Sequence, residues 1–238
     1  MPFTDCHLHL PVTALARWRE AGLSQAVLAA VTAEDWPAVL SAADEHPETL
    51  LPALGVHPWY VPQVVSLGEL PALLKAHPHC AVGEIGLDGC PGKPPMEWQA
   101  AWFRRQLEVA AQLARPAVVH IVRAWDDAWE ILKDFPEIPV VVHGFHGSAE
   151  IVRRFLPLPK LRFSVGFDAL EPGRHFAAAL RAIPHERLLV DSDAPCRGHS
   201  PDELPALIRA LAERLALAPG ILEARLMENF HALFFCGC

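Results

Sequence analysis

Phe3-Thr4-Asp5-Cys6-His7-Leu8-His9-Leu10 opens the chain as an apolar run interrupted at alternate positions by a carboxylate and two imidazoles. Successive side chains of a β-strand point to opposite faces, which predicts Asp5, His7 and His9 on one face and Cys6, Leu8 and Leu10 on the other. Two imidazoles one pleat apart can converge on a single divalent ion. A carboxylate one step further back can orient one of them by hydrogen bonding. A lone His-x-His is equally at home in an ordinary half-exposed strand. The two readings separate on whether later strands bring more ligands to the same place.

Seven further strand-like apolar runs follow, at 26–31, 50–56, 81–85, 117–120, 140–143, 161–165 and 188–190. Segments with helical spacing lie between or after them at 34–45, 96–114, 124–135, 149–156, 175–183, 201–217 and 219–235. Near-continuous apolar strands alternating with helices call for a parallel sheet covered on both faces. Eight such units in 238 residues predict an α/β fold closed as a (β/α)8 TIM barrel, one domain over 1–238. No Gly-x-Gly-x-x-Gly follows the first strand, which removes the usual dinucleotide-binding sheet. The 23 prolines are scattered, so they mark no hinge.

With 28 acidic against 20 basic residues the net charge is −8, which argues against coating nucleic acid or an anionic membrane through a general field. A local cation still permits an anionic substrate. There is no 18-residue apolar run and no basic-then-apolar leader, so a soluble cytoplasmic protein, monomeric and without membrane partners, is expected. The six cysteines form no Cys-x-x-Cys pair, in keeping with a reducing compartment.

Functional groups of such barrels sit at the C-terminal ends of the strands. Strand one ends at His7 and His9, and strand three runs into His57. Strand four carries Glu84 and Asp88, strands five and six end at His120 and His143, and strand eight runs into Asp191-Ser192-Asp193. Each taken alone has an ordinary explanation as a helix cap or a hydrogen-bonded core histidine. Recurring at one end of successive units, four histidines and two carboxylates make a ligand set for two divalent ions with one carboxylate bridging. Burying so many ionisable groups without a cation would be costly. A lysine-derived bridge is excluded, because Lys75, Lys93, Lys133 and Lys160 all miss the strand ends; Glu84 stands where the bridge is needed.

These residues resemble the TatD family of metal-dependent hydrolases, within the amidohydrolase-like barrels. The likeness covers nearly the whole chain. It rests on Asp5-x-His7-x-His9, Gly55-Val56-His57-Pro58, Gly83-Glu84-Ile85-Gly86-Leu87-Asp88, His143-x-Phe145-x-Gly147 and Asp191-Ser192-Asp193-Ala194-Pro195. Phe103, Gln106, Leu107 and Pro116 ahead of His120, and Asn229-Phe230 near the end, also match. The resemblance implies a divalent-metal-dependent deoxyribonuclease or phosphodiesterase. Its two ions (zinc, magnesium or manganese) would be held by His7, His9, Glu84, His120, His143 and Asp193. Three departures touch substrate contacts: Val122 where an arginine is usual, with Arg123 one position later; Asp191-Ser192-Asp193 in place of Glu-Thr-Asp; and Gly89-Cys90-Pro91-Gly92 where an aromatic residue is more usual.

The reaction expected on this basis is phosphodiester hydrolysis by a metal-bound hydroxide. Asp193 positions and deprotonates the water, Glu84 bridges, Asp5 supports the ligands, and His57, His146 and Arg123 contact the phosphate. An acidic chain poor in lysine favours DNA ends or short single strands, attacked in a 3′–5′ exonuclease-like manner, or a small phosphodiester, over long duplex. The same barrel also supports amide, lactone or ester hydrolysis on a small molecule. A third possibility is a largely non-catalytic barrel serving as a partner subunit.

Overall fold

The computed structural model describes residues 2–63, 66–170, 174–196 and 198–235. Eight strands, β1 (Phe3–Leu8), β2 (Leu23–Ala29), β3 (Leu50–Leu54), β4 (Ala81–Asp88), β5 (Ala117–Val122), β6 (Val140–Val142), β7 (Leu161–Val165) and β8 (Leu188–Val190), pair in parallel in chain order. The ring closes just beyond β8. The Asp193 N–H donates to the His7 carbonyl at 3.1 Å, and the His9 N–H donates to the Ala194 carbonyl at 2.7 Å. The expected TIM barrel is therefore what the chain forms.

The helices are α1 (Leu15–Glu20), α2 (Trp36–Glu45), α3 (Leu70–Ala76), α4 (Met96–Gln112), α5 (Trp125–Leu132), α6 (Ala149–Phe155), α7 (Arg174–Ala182), α8 (Leu204–Arg214) and α9 (Pro219–Phe234). Two of them, α1 and α3, go beyond the sequence reading. They have six and seven residues and bury two side chains each, too few for a 3.6-residue period to register. Strand ends also shift. β2 begins three residues earlier than expected, through polar Ser24 and Gln25, and β4 runs on to Asp88. Among the described residues no helix is long and apolar enough to cross a membrane.

Two apolar layers follow from strand alternation. Val27, Leu51, Ala81, Val118, Val141 and Leu189 pack with one another inside the ring, and Phe230, Leu233 and Phe234 of α9 pack against them. Their neighbours along the strands, such as Val82, Val119 and Val142, pack outward against the helices. The interior is thus a filled core whose side chains give way to polar groups only toward the C-terminal ends of the strands.

Besides a register shift at Phe3/Thr4 where β1 begins, alternation fails at two places that matter to the site. Between Asp5 and Leu8 three residues of β1 pass two of β2 (Ala26 to Leu28). Between Val82 and Ile85 three residues of β4 likewise pass two of β5 (Ala117 to Val119). Each is a bulge, which re-aims the side chains it carries. One consequence corrects the simple pleat: Cys6, expected on the face opposite His7 with Leu8, packs with the interior layer, whereas Leu8 packs with the outer one.

After its bulge β4 lies very close to β5. Gly86, at φ +138°, pairs with His120, and a Cβ there would stand 2.0 Å from the His120 carbonyl oxygen. Only glycine fits such an approach. Gly86→Ala must push β5 away, and overpacking typically costs about 1–3 kcal/mol, or roughly 2–12 °C in Tm at this size. Gly92→Ala, also at positive φ but with open space around it, is the control. Equal losses for the two in thermal unfolding would refute the close approach as the reason for Gly86.

Candidate active site

At the C-terminal end of the barrel the structure brings five imidazoles and two carboxylates together, with Glu84 at the centre. Glu84 Oε2 lies 3.3 Å from both His7 Nε2 and His9 Nε2. Its Oε1 lies 2.7 Å from His143 Nε2, 3.0 Å from His120 Nδ1 and 3.3 Å from His57 Nε2. Asp193 Oδ1 approaches His9 and His7 at 3.6 and 3.8 Å. His7, His9, His57, Glu84 and His143 are all buried, while His120 and Asp193 are partly exposed.

Hydrogen bonds on the far side of three of the rings fix which nitrogen faces the cluster. His9 Nδ1–H donates to the Ala29 carbonyl at 2.9 Å, which leaves the Nε2 lone pair facing the cluster. His120 Nε2 faces Asp88 Oδ2 at 3.4 Å, leaving Nδ1 for the cluster. His57 is the reverse. Its Nδ1 accepts the Trp59 N–H at 3.2 Å, so its proton is on Nε2 and is directed at Glu84. His57, expected to meet a phosphate, is instead a buried donor that clamps the central carboxylate.

The electrostatics follow from this crowding. Burial works against the Glu84 carboxylate, but His57, His143 and His7 around it outweigh burial and hold its pKa well below the usual range. Burial, reinforced by the His143 ring beside it, pushes His7 down to about 3. Burial also opposes protonation of His9 and His120. Glu84, with the Ala29 carbonyl and Asp193 for His9 and with Asp88 for His120, reverses that and raises each to about 9.

The donor set fits divalent cations. His7, His9 and Asp193 offer ligand atoms within 4.8 Å of one another, as do His7, Glu84 and His143. His7 Nε2 and His9 Nε2 stand only 3.0 Å apart, and Nδ1 of His7 and of His143 are buried without a hydrogen-bond partner. A cation between imidazole lone pairs and carboxylates relieves what is otherwise a costly packing of polar groups.

A second layer of carboxylates supports the first. Asp88 accepts from Trp59 Nε1 at 2.5 Å and from the Cys90 N–H at 2.8 Å while it faces His120. Asp191 accepts from the Gly144 N–H at 3.0 Å, next to His143, and from the Ser164 hydroxyl. Asp5 departs from expectation, for it meets no imidazole. Its Oδ1 accepts the His7 and Ser192 N–H groups at 3.1 and 3.0 Å, and its Oδ2 accepts the Ser192 hydroxyl at 2.6 Å. Asp5 thereby ties the bulge of β1 to the turn after β8, in which Asp193 adopts φ +49°. Burial lifts the Asp5 carboxyl to about 7.

A cavity opens beside the cluster, walled by His120, His143, His146, Phe167, Asp193 and His199. His146 is exposed, its Nδ1–H bonded to the Gly144 carbonyl at 3.0 Å. Arg123 is exposed on the loop after β5, outside the residues lining this cavity. Sequence reasoning left Asp88, Trp59, Phe167 and His199 without roles. For Asp88 a signal existed, since it falls two pleats after Glu84 in the same strand.

A parallel eight-stranded barrel with imidazoles and carboxylates gathered at its C-terminal mouth defines a metal-dependent hydrolase. The family described as TatD related DNase matches residues 4–235, and the chain belongs to that family. It is 31% identical to the uncharacterized metal-dependent hydrolase YjjV of Escherichia coli K12, over 97% of this chain and 96% of that protein. The crystal structure of YjjV superposes with a TM-score of 0.90, covering 98% of this chain and 97% of that one at 29% identity. Similarity extends to the 3′-5′ ssDNA/RNA exonuclease TatD of Erwinia tasmaniensis, 28% identical over 92% of each chain.

If Asp5 is the tie described, Asp5→Asn sets an amide group against donors and is expected to cost about 1–3 kcal/mol, and Ser192→Ala about 1 kcal/mol. Urea unfolding of the metal-free protein measures both. Because the residues share bonds, the double variant should lose less than the sum; strict additivity would count against the tie.

Proposed function

We propose that the cluster holds two divalent cations bridged by Glu84 and that the protein hydrolyses phosphodiesters at the ends of single-stranded nucleic acid. One observation carries the two-cation reading: the two oxygens of Glu84 face separate donor sets. His7 and His9, with Asp193 nearby, gather at Oε2; His120 and His143 gather at Oε1. His57 is left out of the ligands because its Nε2 carries a proton. Imidazole-rich sites suit zinc or manganese better than magnesium, which prefers oxygen ligands and retained water. Bound there, such ions lower the pKa of water and neutralise charge on the phosphoryl oxygens.

The protein's own groups complete the chemistry. Asp193, partly exposed at the cavity and held in its left-handed turn, orients the attacking water and accepts its proton. The His57 N–H fixes the Glu84 carboxylate. His146 on the cavity wall is the imidazole best disposed to meet a phosphate, while Arg123 stands apart. Similarity to a 3′-5′ ssDNA/RNA exonuclease and the net charge of −8 both favour single-stranded ends over duplex. Free thiols at Cys6, Cys80 and Cys90 are in keeping with a reducing cytoplasm.

Metal analysis with a nuclease assay tests this reading. Glu84→Gln is expected to lose both ions, and Asp193→Asn to lower kcat by roughly 100-fold or more while ion remains bound. Free 3′ ends should be degraded and blocked ends spared. Protein that cannot be loaded with any divalent ion would sink the proposal, and hydrolysis of amides or lactones with none of phosphodiesters would move the site to a different substrate class.

Asp88 supplies a separate test. A carboxylate that orients a liganding histidine contributes roughly 10- to 100-fold to metal affinity. Asp88→Asn should show that loss in competition with a chelating dye while keeping its fold. Unchanged affinity would remove Asp88 from the support of His120.

A further inference from the structure

Three large hydrophobic side chains stand out as exposed among the described residues, Trp59 at 43%, Tyr60 at 54% and Ile221 at 60%. Two of them are neighbours in the loop after β3, at the mouth that holds the cluster. Tyr60 is the only tyrosine of the chain. Local packing does not require this exposure. The loop is anchored on either side by buried His57 and Val61, by the Tyr60 N–H on the His57 carbonyl at 2.9 Å, and by Trp102 Nε1–H on the Pro62 carbonyl at 2.8 Å.

The exposed indole is also held rigidly. Trp59 Nε1–H is bound to Asp88, its ring meets the His57 ring edge-on at 4.9 Å, and it lies 6.2 Å from the His120 ring. Lys93 Nζ sits 3.3 Å over the indole. A rigid, half-exposed aromatic surface with an ammonium against it, next to a cation-binding cluster, matches a base with its phosphate. Bases stack on such surfaces without regard to sequence, and only when unpaired. The open phenol of Tyr60, whose ring lies 6.2 Å from that of His57, extends the surface.

We propose that Trp59, Tyr60 and Lys93 form a nucleotide subsite: the base next to the scissile phosphodiester stacks on the two aromatic rings, and Lys93 turns from the indole to the adjoining phosphate. This rests on the phosphodiesterase reading above. It identifies the substrate as a strand with unpaired bases at its end, and it gives Trp59 two tasks, carrying the base and holding Asp88 against His120.

The test compares kcat/KM of the metal-loaded enzyme on a thymidine decamer and on the same decamer with its last two bases removed. Stacking should favour the intact decamer by roughly 5- to 100-fold. Tyr60→Ala and Trp59→Leu should each bring that ratio toward one, while Trp59→Phe, which keeps an aromatic face, retains most of it. Structural damage alone would slow both substrates together and leave the ratio standing. A ratio near one in the wild type, or one untouched by both Tyr60→Ala and Trp59→Leu, overturns the subsite alone. A wild type idle on both decamers overturns the phosphodiesterase reading and the subsite with it. Lys93→Gln should flatten the plot of log(kcat/KM) against log salt by about 0.7, the share of one phosphate contact on a single strand. An unchanged slope removes Lys93 from the subsite.

Discussion

A single carboxylate, Glu84, buried in the mouth of the barrel and ringed by imidazoles, sets the terms for the surrounding structure. An isolated carboxylate in such a place would neutralise itself by taking up a proton. Here the imidazoles outweigh burial and keep it ionised, so the barrel presents a fixed negative charge at its centre. Imidazoles from half the strands of the ring surround both oxygens of Glu84: the end of β1 at one, and the ends of β3, β5 and β6 at the other. Removing any of these strands from register would leave the carboxylate partly unsatisfied. The site therefore constrains the fold as much as the fold positions the site.

The backbone shows the same dependence. β1 and β4 each carry one extra residue where their functional side chains must be aimed, at the segments containing His7 and Glu84. β4 then needs Gly86 to pass the His120 carbonyl. Around this core the aspartates divide the work of support. Asp88 holds His120, Asp191 binds the Gly144 N–H beside His143, and Asp5 binds the backbone of His7 to the turn that carries Asp193. Each lies one layer back from the imidazoles, where a carboxylate can fix a ring or a turn without competing for the centre.

Much of this was open to reading from residues alone, because strand-end position is a strong signal when it recurs. Apolar runs of the right length ended in His7 and His9, Glu84, His120, His143 and Asp193 at one end of successive units, and the structure brings these six together. The limits have physical causes. Helices α1 and α3 are too short to show a period. A bulge changes which face a residue occupies without changing the residue, so Cys6 went to the wrong side. His57 and Asp5 were recognisable as site residues, but their tasks are set largely by partners distant in sequence: Glu84 for His57's proton, Ser192 for Asp5's carboxylate. Trp59 reads as ordinary apolar loop until its hydrogen bond to Asp88 is seen.

The acidic net charge, at first sight at odds with a nucleic acid substrate, becomes a selectivity argument once the distribution of cations is known. Four helical arginines are engaged locally: Arg104 with Asp134, Arg105 with Glu108, Arg153 with Glu150 and Arg154 with Asp126. These pairs take four cations out of reach of the phosphates of a long duplex, whose affinity scales with the number of cations that neutralise them. At the mouth Lys93 lies against the indole of Trp59, one of two exposed aromatic rings there. A duplex end offers those rings only paired and stacked bases. A single-stranded end offers one free base and one phosphate, which is what a short, local cationic patch with an aromatic floor can hold.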